Sequence, residues 1–276
     1  MAGFKVRVLS SVVLVLLLGS ALWIGGPYLW LLLLFASEVG LFEFYRAMRP
    51  EEKRQGFAPD VLEITGFAGC FLYYLLLLKS ESLRYPVFLL VGILILMMIV
   101  YVIRYPAYGS DHLIRSFFAL IYVCVMLSFV YLTREAENGR KIVWMIFISS
   151  WICDTCAYLV GIMIGKHKLA PKLSPKKSIE GSVGGVIGAA AVGYLFGRLF
   201  GEPGVAAGYL LVSAAGAVIS QFGDLMASAI KRDHKIKDYG TLIPGHGGIL
   251  DRFDSVIITA PVIYILSQLI LGTVAK

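Results

Sequence analysis

Residues 85–103 read Tyr-Pro-Val-Phe-Leu-Leu-Val-Gly-Ile-Leu-Ile-Leu-Met-Met-Ile-Val-Tyr-Val-Ile, an uncharged stretch bracketed by Arg84 and Arg104. A helix of about 20 residues at ~1.5 Å per residue crosses a hydrocarbon core of ~30 Å. The run is continuously apolar, without the polar–apolar alternation of a barrel strand, so it predicts a membrane-spanning helix. Eight further runs read the same way: Val8–Gly25, Pro27–Tyr45, Val61–Leu78, Ser116–Thr133, Ile142–Ile164, Gly181–Phe200, Val205–Ile230 and Val256–Leu271. The fold expected is all-α, a polytopic integral membrane protein with about nine transmembrane helices.

Composition agrees. The 276 residues are 58% hydrophobic and 16% charged, with a mean hydropathy of +0.80. Soluble domains run about half apolar and about a quarter charged. A disordered chain, a basic nucleic-acid-binding tail and a soluble single-core enzyme are thereby excluded. The run Val8–Gly25 follows Lys5 and Arg7 like a signal peptide. It lacks a small-residue cleavage site and meets Gly25-Gly26-Pro27 and a second run at once, so a retained helix is expected. Cys70, Cys124, Cys153 and Cys156 all lie in apolar runs, which argues against a disulfide framework. The single Cys153-x-x-Cys156 pair reads as two buried thiols before it reads as a zinc or redox site.

Lysine and arginine placement sets orientation. With the N-terminus cytoplasmic, only Lys79, Arg84, Arg134, Arg140, Lys141, Arg198 and Lys276 of the 25 basic residues fall outside. The other 18 gather at the N-terminus, around 46–54, at 104–115, in 166–177 and in 231–252. The net charge of +7 therefore bears on loop topology and anionic partners. Residues 1–140 read as five bulky spans with little chemistry in their loops. Residues 141–276 hold four spans, two long cytoplasmic loops and the suggestive carboxylates. No internal repeat is evident, which weighs against an inverted-repeat transporter. Glycines at 181, 184, 185, 188, 193 and 197 recur at spacings of four, a small-residue face for close helix packing.

Ionisable residues inside spans are costly and invite a functional reading. Glu43 is expected to pair with Arg46 at i,i+3, and Glu63 lies near a helix end; both read as structural, and Glu38 has no assignment. Asp154 sits ~15 Å and Asp224 ~10 Å from the cytoplasmic ends of their helices at ~1.5 Å per residue, which points to a polar cavity open to the cytoplasm. The loop 166–181 carries five lysines and the run Ser174-Pro-Lys-Lys-Ser-Ile-Glu-Gly181. Ammonium groups, hydroxyls and the free N–H groups of a helix start suit a polyphosphate. In the second loop, Asp224 and Ser228 share a helix face, as do Asp251 and Asp254. Lys231-Arg232 adds a basic pair, and His246-Gly247-Gly248 lets backbone approach a ligand. His246 is not read as a zinc ligand. Carboxylates with phosphate oxygens suit magnesium, so the pattern reads as metal-assisted phosphate chemistry at the inner leaflet.

The stretch from Ser228 through Lys231-Arg232, Lys237-Asp238 and His246-Gly247-Gly248 to Asp251-Arg252-Phe253-Asp254 resembles the defining motif of the phosphatidate cytidylyltransferases, or CDP-diacylglycerol synthases. Ser174–Gly181 is similar to a second motif of that family, and Asp154-Thr-Cys-Ala-Tyr158 to a third, departing from it at Cys156 where a small residue such as glycine is usual. The resemblance implies an enzyme that joins CTP to phosphatidate, releases pyrophosphate and needs Mg²⁺, one ion or two. It implies that Asp224 and Asp251 hold the metal, with Lys177 acting beside them. Substrate contacts would come from Asp154, Ser174, Lys176, Ser178, Glu180, Gly181, Ser228, Lys231, Arg232, Lys237, Asp238, His246, Gly247, Gly248, Arg252 and Asp254. The partners expected are CTP, phosphatidate and other membrane lipids, with no nucleic acid; a homo-oligomer stays open. The location expected is the inner (cytoplasmic) membrane with the active site facing the cytoplasm. Two other readings use the same features: a polyprenyl-phosphate sugar-phosphate transferase, and a cation-coupled transporter with Asp154 and Asp224 as its ion site.

Overall fold

A computed structural model describes residues 2–49, 54, 58–79, 84–245 and 247–272. Nine helices run through them: α1 Ala2–Ile24, α2 Gly26–Met48, α3 Val61–Lys79, α4 Arg84–Ile103, α5 Ser110–Glu135, α6 Gly139–Ile164, α7 Ile179–Phe200, α8 Ala206–Asp233 and α9 Leu250–Leu271. The eight from α2 to α9 are long and apolar enough to cross a membrane, and the described apolar part of α1 is Val12–Ile24. The architecture is all-α and multi-pass. Lys53, one of the basic residues of the 46–54 group, Lys276 and His246 lie outside the described residues.

The observed helices coincide with the nine apolar runs, because a continuous apolar stretch both fixes length and removes the turn residues that would break it. Gly25 and Gly26 take left-handed φ angles of 72° and 54° between α1 and α2. There a side chain would be strained, and Pro27 then opens α2. Two differences stand out. Helix α9 begins at Leu250, six residues before the apolar run at Val256, and carries Asp251 and Asp254 on its first turns, the shared helix face expected of them. The expected loop 166–178 holds an antiparallel ribbon, β1 Lys168–Ala170 with β2 Ser174–Ser178. Its turn is closed by Leu173 N–H donating to Ala170 O at 3.2 Å, with Pro171 at the second position. Proline pre-sets the φ that position needs.

The chain divides into two compact units, Met1–Ser128 with His234–Arg252, and Phe129–Asp233 with Phe253–Lys276. The first is packed by large side chains. Leu29, Leu33, Leu41, Phe44, Leu62, Tyr74 and Leu120 are fully buried, and the Phe44 ring meets Phe118, Tyr122 and Tyr239 at centroid distances of 5.9–6.3 Å. Polar pairs are set among them: Ser37 with Tyr74 at 2.9 Å, and Arg49 with Glu63. Glu63 is thus structural, as expected.

The second unit is packed by glycine. A Cβ on Gly181 would come within 2.6 Å of Ala157 O, and one on Gly185 within 2.8 Å of Cys153 O. Further along, one on Gly193 would lie 3.0 Å from Tyr209 O. The first half of α7 therefore lies backbone-close against α6 and the second half against α8, the close packing that its glycine spacing predicted. Cys153 is buried between them, its thiol donating to Ala217 O at 3.7 Å, and all four cysteines are free.

Candidate active site

The cavity that concentrates the polar groups lies within the second unit. It has a volume of about 520 Å³ and is lined by Asp154, Ala157, Tyr158, Gly161 and Ile162 of α6. Leu169, Lys176, Lys177 and Ser178 of the ribbon, Gly181 and Ser182 of α7, and Gln221 and Asp224 of α8 complete the lining. Each wall follows from local sequence. The close α6–α7 contact at the glycines brings Asp154 and Ser182 to one space. The ribbon turn at Pro171 folds the lysine-bearing strand back over it. Ser178, with extended backbone, caps α7 by accepting Gly181 N–H at 3.1 Å, so the helix starts at Ile179 and not at Gly181.

Across this cavity the Lys177 ammonium pairs with the Asp224 carboxylate, each about one quarter exposed. Asp154 interacts electrostatically with both. Lys231 and Asp254 form a second pair at 3.8 Å, each side chain only 13% exposed, and Asp254 is within electrostatic reach of Asp224 and Asp154. Asp154, Asp224 and Asp254 thus lie within electrostatic reach of one another, with Lys177 and Lys231 paired to two of them and Lys176 on the same wall, and a cation would relieve the repulsion among the carboxylates. Among the described residues no group of three or more His, Cys, Asp or Glu side chains converges into a ready-made metal cage. Carboxylates that leave coordination positions for phosphate oxygens fit magnesium, which is usually held by one or two of them.

Of the residues expected from the sequence, the cavity gathers Asp154, Lys176, Lys177, Ser178, Gly181 and Asp224. Glu180 points elsewhere, accepting from Lys166 N–H at 3.1 Å and meeting His167 Nδ1 at 2.6 Å, which ties the entrance of the ribbon to α7. Ser174 opens β2, and Ser228 and Arg232 lie one and two turns beyond Asp224 on α8. Two residues were not anticipated. Gln221 donates to Ser182 O at 3.2 Å and to Cys153 Sγ at 3.5 Å, and its carbonyl accepts from the Ser182 hydroxyl. A buried amide in the apolar run 205–230 was a readable signal. Ser182 carried none.

The rest of the long motif belongs to the first unit. Lys237 and Asp238 are exposed. Asp251 is buried, and its Oδ2 accepts Tyr239 N–H at 2.8 Å and Gly248 N–H at 3.0 Å. Gly247 has φ 86°, a left-handed value that a side chain would strain. Arg252 carries a buried Nε–H without a hydrogen-bond partner among the described residues. Glu43 departs from the sequence expectation. Its carboxylate accepts Ile249 N–H at 3.1 Å and Leu250 N–H at 2.9 Å, while Arg46 donates to Tyr239 O at 3.1 Å. Arg46 still interacts electrostatically with Glu43, but the hydrogen bonds of the carboxylate go to the N–H groups opening α9, donors with no partner inside their own helix.

Residues 5–270 match the model of the cytidylyltransferase family. The chain is 31% identical over 281 residues to a phosphatidate cytidylyltransferase of Haemophilus influenzae, covering 93% of this chain and 96% of that one. It is 29% identical over 279 residues to a protein of that name from Bacillus subtilis, covering 98% and 99%. A third, from Staphylococcus epidermidis, is 30% identical over 264 residues, covering 95% and 98%.

Proposed function

This chain belongs to the cytidylyltransferase family, and from that premise we propose that it transfers the cytidylyl group of CTP to phosphatidate. A phosphatidate oxygen attacks the α-phosphorus of CTP, the bond from that phosphorus to the β-phosphate oxygen breaks, and pyrophosphate leaves. CDP-diacylglycerol remains in the bilayer. The relatives' printed names supply the lipid, and the cavity supplies the chemistry. The lipid phosphate is already anionic and needs little help from a base. The difficulty is bringing one polyanion to another.

The observation that carries the reading is the Lys177–Asp224 pair on the cavity wall. Its ammonium stands against the carboxylate where a metal cation would sit, and the same ammonium, once released, is a donor for a phosphate. Asp224, with Asp154 beside it, would hold Mg²⁺ in this unit; the family resemblance adds Asp251. Bound there, Mg²⁺ would screen the charge of the two substrates and stabilise the departing pyrophosphate. Lys176 and Lys177 orient the triphosphate, and the buried Arg252 Nε–H is a donor of the kind a phosphate oxygen satisfies.

The charge distribution supports an N-terminus in the cytoplasm and an active site open to that side of the cytoplasmic membrane. Purified protein with labelled CTP, phosphatidate and Mg²⁺ should yield labelled CDP-lipid. Labelling of polyprenyl phosphate from a nucleotide sugar instead, or cation flux without lipid turnover, would overturn the assignment. Single cysteines at Lys172 and Lys276 in a thiol-free background test orientation: the first should be shielded from an impermeant reagent in intact cells and the second should react.

A further inference from the structure

Glu43 is only 3% exposed and lies on α2, far in sequence from anything it binds. Both of its carboxylate oxygens are engaged by backbone: Oε1 by Ile249 N–H and Oε2 by Leu250 N–H, the groups that open α9. An anion there also meets the positive end of the helix dipole. Two glycines leave room for it. A Cβ built on Gly248 would run into both carboxylate oxygens and Cδ of Glu43, and one on Gly240 into Oε1. Neither glycine has a positive φ, so backbone conformation does not require them. The space taken by Glu43 does. One turn further, Arg46 holds Tyr239 O, and the Phe44 ring stacks on Tyr239 at 6.3 Å and 21°.

We propose that Glu43 is a positioning residue for the proposed transfer reaction, a clamp from α2 that fixes the backbone of residues 239–250 and so sets the aim of Asp251 and Arg252. The second glycine of His246-Gly247-Gly248 then serves the clamp. Asp251 completes the arrangement from the other side by holding Tyr239 N–H and Gly248 N–H. Removing the Glu43 carboxylate leaves two buried donors unsatisfied, and the segment relaxes while α2 itself, packed by Leu41, Phe44 and Tyr45, stays in place.

Two measurements on the purified full chain test this. The first is amide hydrogen exchange over 239–252, read against α7 as internal reference. In Glu43→Ala, exchange should quicken at least tenfold in that segment and not in α7. Glu43→Gln, which keeps one acceptor and turns an amide donor toward the other N–H, should fall between. The second is a double-variant cycle in initial rates of CDP-lipid formation. Glu43→Ala and Gly248→Ala should each lower kcat at least tenfold with KM for CTP within threefold. Together they should lose no more than the worse single variant, because the added methyl occupies space the missing carboxylate has left. Unchanged exchange in Glu43→Ala, or losses that multiply in the double variant, would overturn the clamp. The inference rests on the proposed reaction only for its kinetic half. Wild-type protein inactive with CTP and phosphatidate would remove that reaction, and the exchange result would still decide whether Glu43 holds the segment.

Discussion

On the cavity wall, Asp224 faces Lys177, side chain to side chain and partly open to solvent. Around the segment 239–252, Glu43 of α2 and Asp251 of the segment itself are buried and bound to its backbone N–H groups. A side-chain ion pair is exchangeable: a metal can take the carboxylate and a phosphate the ammonium, each finding a new partner as the old one leaves. A buried carboxylate holding backbone donors is not, because removing it strands those donors at ~1–3 kcal/mol each. One region is arranged to bind, the other to hold the shape of the segment that carries Asp251 and Arg252.

The comparison breaks first at the carboxylates. Asp224→Asn keeps shape and removes charge, so it should lower kcat at least ~100-fold, or ~2.7 kcal/mol, with folding intact. Asp251 tests both roles at once. Its two backbone bonds share one oxygen, and the asparagine carbonyl oxygen can accept both. Asp251→Asn should therefore keep its melting temperature yet lose activity as Asp224→Asn does, if its charge holds a metal. An active Asp251→Asn beside an inactive, less stable Asp251→Ala would reduce Asp251 to a tether.

Much of this was legible in the sequence, for reasons that also explain what was not. Eight spans, and the shorter apolar part of α1 before them, were readable because apolar length is a local property. The apolar run marked α9 only from Val256, and its first residue, Leu250, was not readable because the cap comes from Glu43, more than two hundred residues away. The same distance hid the role of Glu43, for which Arg46 was the obvious neighbour. The ribbon was missed although Ala170-Pro171 marks its turn, since short strands in a lysine-rich loop show no apolar alternation. Asp154, Lys177 and Asp224 stood out as charges beside or inside apolar runs. Gln221 was passed over, although an amide inside an apolar run is a signal of the same kind.

A second test concerns the exchangeable pair. Lys177→Ala should cost at least ~10-fold, ~1.4 kcal/mol, more than Lys168→Ala, because Lys177 lines the cavity and the exposed Lys168 of β1 does not. Lys177→Arg should restore only part of the loss, since a planar guanidinium does not replace a compact ammonium. The change should appear in the CTP dependence of the rate. Equal, small effects at both lysines would make the ribbon a topology signal alone.

Next in size is the packing that shapes the cavity. Gly185→Ala places a methyl 2.8 Å from the Cys153 carbonyl oxygen, a backbone atom that cannot turn aside. It should destabilise by ~1–3 kcal/mol, seen as a lower melting temperature in detergent. Gly92→Ala on α4 is the control, with nothing within 4 Å of the added carbon. A melting temperature in Gly185→Ala equal to that of Gly92→Ala would show that α6 and α7 do not pack through this face.

The smallest effect sharpens the comparison most directly, because Glu180 repeats the bonding of Glu43 without its burial. Its carboxylate accepts the N–H groups of Lys166 and His167 and meets the His167 ring, but it is partly exposed and His167 is 75% exposed. Water can replace a lost acceptor there, and exposed ion pairs contribute little. Glu180→Gln should lower the rate by no more than about threefold, where Glu43→Gln loses clearly more. The measurement is the ratio of the two losses under one set of conditions. If Glu180→Gln proves the more damaging, burial is not what separates a carboxylate that holds shape from one that decorates a turn, and Glu180 joins the groups that touch substrate.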